Sequence, residues 1–85
     1  MNQDLLQLAE TARVEAMNYA FDNPIHKELK KLEMYFRKSY LMAKHMHKLL
    51  EHDHSEETFF KDLNAALIKD QKYVKIRDGL EDYTI

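Results

Sequence analysis

Apolar residues recur along the chain at helical steps of three and four, and the pattern is interrupted in two places. Between 4 and 21, Leu5, Leu8, Ala12, Ala16 and Tyr19 share one helical face. Asp4 is suited to cap the start of this segment, with Gln7 three residues on in the capping-box position. The run ends at Asp22-Asn23-Pro24. Pro24 disfavours helical geometry at Asn23 and suits the first position of a following helix, which makes Asn23 that helix's N-cap.

The second segment, 24 to about 52, has the most regular pattern. Ile25, Leu29, Leu32, Phe36, Ser39, Ala43, Met46 and Leu50 are spaced 4, 3, 4, 3, 4, 3, 4, a seven-residue repeat with one polar member. Tyr35, Met42 and Leu49 widen this seam on one flank. The opposite positions hold Lys30, Lys31, Arg37, Lys38, Lys44, His45, Glu51 and His52, so the polar face is basic until its last turn. Met34 and Leu41 lie near that basic face, are harder to bury in one contact, and hint at a second packing surface.

A third helix is predicted over about 55–69. Asp53 or Ser55 can cap it, Glu56 and Glu57 suit the positive end of its dipole, and Phe59, Phe60, Leu63, Ala66 and Leu67 form its apolar face. The pattern breaks near Lys69-Asp70-Gln71. For the tail, Tyr73, Ile76, Leu80 and Tyr83 step by 3, 4, 3 as in a helix, which would place Gly79 in its interior at a cost of about 1 kcal/mol. Against this, Asp78-Gly79 is a favoured type I′ turn pair flanked by residues rich in Val, Ile, Tyr and Thr, which points to a hairpin over about 73–85. The expected fold is therefore mainly α, with three helices (about 4–21, 24–52 and 55–69) and a C-terminal β-hairpin; an all-α four-helix arrangement is the alternative.

At 85 residues and 10.2 kDa the chain is expected to form a single small domain, residues 1–85. Hydrophobic residues make up 45%, enough for a core. One Gly and no Cys exclude a Gly-rich phosphate loop, a disulfide framework and a thiolate zinc site. The opening MNQDLLQLAE lacks the basic flank of a signal peptide, and no apolar run approaches the length of a membrane span, so a cytoplasmic location without membrane association is expected. The net charge of -2 conceals an uneven distribution: residues 1–22 carry -3, residues 23–52 carry +4, residues 53–70 carry -3, and the rest balance.

Little here points to catalysis. Ser39 and Ser55 are the only serines, one on the seam and one in a capping position. His45, His47, His52 and His54 fall within ten residues, but only His47 with Glu51, or His52 with Glu56 in a continuous helix, meet the four-residue spacing of a helical metal site. No metal site, catalytic residue or cofactor is assigned. A pH-responsive or metal-binding role for the histidines stands as an alternative. The aromatic and apolar cluster Met34, Tyr35, Phe36, Tyr40, Leu41 and Met42 nearly encircles its helix, as in a helix that is buried on several sides or exposes a binding patch.

The expected function is that of a small non-enzymatic interaction module, such as an adaptor, an inhibitor or an antitoxin-like regulator. Met34, Tyr35, Tyr40, Leu41 and Met42 would make contact, and Lys30, Lys31, Arg37, Lys38 and Lys44 would steer an acidic protein partner. Self-association into a homo-oligomer through the seam is the companion expectation. The last third of the chain offers a rival. Phe59-Phe60-Lys61-Asp62-Leu63, Ala66-Leu67, Asp70, Lys72-Tyr73-Val74-Lys75-Ile76 and Gly79 together resemble the closing helix and wing of winged-helix domains. That resemblance implies a nucleic-acid-binding regulator, which would use the basic helix or a hairpin tip at Lys75 and Arg77.

Overall fold

The computed structural model describes residues 2–52 and 55–83. They form three helices, α1 (Asn2–Ala16), α2 (Pro24–His52) and α3 (Glu56–Tyr83), which cluster into two compact units, Met1–Lys44 and His45–Ile85.

In the first unit, α1 ends at Ala16, five residues short of the predicted boundary. Its end tightens from the last four-residue bond, Met17 N–H to the Arg13 carbonyl, into three-residue ones: Met17 N–H also reaches Val14, Asn18 N–H reaches Glu15, and Tyr19 N–H reaches Ala16. Asp4 therefore lies inside the first turn, where its charge suits the dipole, and is not the cap. The boundary at Asn23-Pro24 is as predicted. Asn23 Oδ1 accepts the Ile25 N–H at 2.9 Å, and Pro24 opens α2.

The buried residues of α1 are Ala9, Ala12 and Ala16, at steps of three and four, so small side chains form its packing face. Leu8 and Tyr19, expected on that face, are exposed. On α2 the buried positions are His26 and Glu33, seven residues apart, and not the seam. Glu33 is fully enclosed, at 0% exposure, and its Oε1 accepts from Lys30 Nζ at 2.8 Å. A buried carboxylate needs such a partner to offset its lost hydration. His26 makes the other polar contact of this core. Its Nδ1 lies 2.7 Å from the Ala16 carbonyl oxygen, which can only accept, so Nδ1 carries the proton. Phe21 packs edge-on against the same ring, with centroids 4.8 Å apart.

In the second unit, Ser55 caps α3. Its Oγ accepts the Thr58 N–H at 3.2 Å, and its carbonyl accepts the Phe59 N–H. Asp53, the other predicted cap, lies outside the described residues.

The predicted β-hairpin is absent: residues 73–83 continue α3 as helix, and no strand occurs among the described residues. Residues 84–85 of the expected hairpin lie outside those described. The reason is a stripe that runs through the supposed break. Leu63, Leu67, Asp70, Val74 and Arg77 step by 4, 3, 4, 3; Leu63 and Val74 are buried and the other three half-buried. Two charged members hide this stripe from a reading of apolar residues alone. Tyr73 and Ile76, which suggested strand, are 55% and 65% exposed. An isolated two-stranded hairpin would also be marginal, whereas the helix satisfies its own backbone. The all-α alternative fits, with the tail fused into the third helix.

Candidate functional site

The first unit carries an open depression of about 590 Å3 along one side of α2. Met34 and Tyr35 supply its apolar surface. Lys27, Lys30, Lys31 and Lys38 surround them, and His26 lies at the N-terminal end. The helix period explains the grouping: Lys27, Lys31, Met34 and Lys38 step by 4, 3, 4 and so fall on one line, with Lys30 and Tyr35 on either side of it. Tyr35 is 64% exposed and Met34 is half-buried.

The lysines differ in their engagements. Lys30 is held by the buried Glu33. Lys31 Nζ lies 3.3 Å from Glu28 Oε1, but both side chains are more than 70% exposed, so this pair contributes little and gives way readily. Among the described residues Lys27 and Lys38 form no ion pair; both are exposed. The depression thus presents three cations that a second molecule can reach without breaking a buried contact.

Five of the ten residues expected at a partner site, Lys30, Lys31, Met34, Tyr35 and Lys38, line this depression. The other five do not. Tyr40 is half-buried and stands seven residues from Glu33 and fourteen from His26, on the line of α2 that the core uses. Arg37 is also half-buried. Leu41 is half-buried and extends the line of Lys27, Lys31, Met34 and Lys38 by one further step of three. Met42 is exposed and continues the line of Tyr35, and Lys44 is exposed. Lys27 and His26 were missed by the sequence reading. Lys27 stands four residues before Lys31, so extending the basic stripe by one turn finds it. For His26 there is no such signal, because its place depends on the carbonyl of another helix.

Of the second unit's histidines, His45 and His47 occupy separate settings. His47 Nε2 pairs with Glu51 Oε1 at 2.8 Å on an exposed face. His45 borders a crevice of about 30 Å3 with Lys48, Leu49, Thr58, Phe59 and Asp62, room for about one water. His54 lies outside the described residues. Among those described, no three His, Asp or Glu side chains are grouped to hold a metal ion. Ser39 is half-buried on α2, and Ser55 is occupied as a cap.

No family model, curated protein or solved structure matches this chain. The resemblance to a winged-helix tail does not survive at the level of structure, since the residues read as its wing are helical. Arg77, expected at a hairpin tip, instead bonds Asp78 through Nε and Nη2 at 3.1 and 2.9 Å, with its guanidinium 6.0 Å from the Tyr73 ring centroid. Among the described residues no helix is long and apolar enough to cross a membrane.

Proposed function

We propose that this protein is a small non-enzymatic interaction module that docks an acidic protein segment on the basic side of α2. The observation that carries this reading is the grouping of Lys27, Lys31 and Lys38 around the accessible apolar surface of Met34 and Tyr35. Apolar contact would supply affinity, and the lysines would raise the association rate and reject basic competitors. The test is a tagged capture from cell lysate, with and without nuclease, using the wild type and a Lys31→Glu/Lys38→Glu variant. An acidic protein that survives nuclease and is lost from the variant supports the reading. A partner that the variant retains, or capture of nucleic acid alone, overturns it, as does capture of nothing by the wild type.

Self-association is a second reading, supported by a different face. Ile25 and Leu32 of the seven-residue repeat are 48% and 42% exposed, although their spacing is that of a helix–helix seam. Sedimentation equilibrium of the wild type and of Leu32→Glu distinguishes this reading: a concentration-dependent mass that the substitution abolishes supports it, and a monomer at all concentrations removes it.

A further inference from the structure

A second line of residues, distinct from the seam, runs through the depression. Lys27, Lys31, Met34, Lys38 and Leu41 step by 4, 3, 4, 3 along α2. The two apolar members, Met34 and Leu41, are therefore about 10 Å apart on the helix axis, with Lys38 between them and Lys31 just before them. A spacing that alternates four and three is what a second helix follows when it lies nearly parallel or antiparallel to the first. The depression is open and lies along this line from Lys27 to Lys38, with Leu41 one step beyond it, so it leaves room for such an element.

The form of the partner follows from the backbone chemistry of the face. All of its residues belong to one helix, and no strand occurs among the described residues, so the face offers no free sheet edge to an extended peptide. An extended segment laid here would gain no main-chain hydrogen bonds from the face, whereas a helix arrives with its own backbone groups already paired. Charge selects the rest. Lys27 and Lys38 have no ion pair among the described residues, and Lys31 has only an exposed one.

We infer that the segment recognised by α2 is an acidic amphipathic helix with two apolar residues seven apart, flanked on the same face by carboxylates that meet Lys27, Lys31 and Lys38. This rests on the acidic-partner reading above and narrows it to a helical register. A second copy of this chain is a poor occupant of the same face, because antiparallel or parallel pairing of two such lines sets lysine against lysine.

The experiment uses the full-length protein and two synthetic three-heptad peptides of identical composition, with binding read by fluorescence anisotropy. One peptide carries two Leu seven residues apart, with Glu three or four residues to either side on the same face. The other is permuted so that Leu and Glu fall on opposite faces. The expected result is that the matched peptide binds about tenfold more tightly than the permuted one, and that Met34→Ala weakens it by a similar factor. The Lys31→Glu/Lys38→Glu protein should lose the matched peptide and bind a version with Lys in place of Glu. Equal binding of the two Glu peptides overturns the helical register while leaving an acidic partner intact. If neither peptide binds although the lysate capture retains an acidic protein, the helical form is wrong and the face is right. If both experiments are blank, both readings fail.

Discussion

His26 shows how a single residue can join two elements. Its ring reaches back across the Met17–Asn23 connection to the last carbonyl of α1, and it is shielded by Phe21. Replacing it with Leu would remove this link between α1 and α2 and leave the Ala16 carbonyl with the Tyr19 N–H as its remaining donor. The His26→Leu protein should therefore unfold about 0.5–1.5 kcal/mol more easily, measured by urea denaturation. An unchanged midpoint would show that the contact contributes nothing. Glu33 presents the opposite economy at the same depth. A fully buried carboxylate is tolerated because Lys30, one turn before it, brings the compensating charge to Oε1 from a side chain that is itself partly exposed. Neither residue belongs to an apolar pattern, so neither was visible as core in a reading of hydrophobic spacing.

Among the elements, α3 is where expectation and structure part. The Asp78-Gly79 pair has strong turn chemistry, yet it sits within a helix whose buried line passes through Asp70 and Arg77. A Cβ added at Gly79 meets nothing within 4 Å. Gly79→Ala should therefore stabilise the protein by roughly 0.5–1 kcal/mol, a rise of several degrees in Tm by circular dichroism. A type I′ turn would respond in the opposite sense, because Ala resists the positive φ which that turn requires. The same measurement thus tests the helix and the correction to the hairpin together. By contrast, α2 was legible almost to the residue. Asn23 and Pro24 determine its start by local chemistry that needs no neighbour.

At the scale of the molecule, function is read from what folding leaves uncovered. The line Lys27, Lys31, Met34 and Lys38, proposed above as a docking face, is held in place by contacts that do not use its exposed lysines. Lys31→Glu/Lys38→Glu should therefore shift Tm by less than about 2 °C while removing the acidic partner, because exposed charges away from buried pairs contribute little to stability. Wild-type affinity for that partner should fall with ionic strength, and Tm should remain nearly constant over the same range. A parallel loss of both would mean that the lysines serve the fold.

Local chemistry and helical period were enough to set out the mainly helical class, the long middle helix, its N-cap and its basic face, because each depends on residues within one or two turns. Met34 and Leu41 also stood apart from the seam by spacing alone, and that spacing is what the inferred docking helix follows. Which face each helix buries was decided only in three dimensions. Ala9, Ala12 and Ala16 of α1 and His26 and Glu33 of α2 are enclosed, while Ile25 and Leu32 remain at the surface. The fate of the tail was likewise decided by tertiary packing. Burial of Val74 on the line of Leu63 favours helix over the local turn preference of Asp78-Gly79. Hydrophobic spacing records which surfaces a helix offers, and packing selects among them by fit and by the pairing of charges.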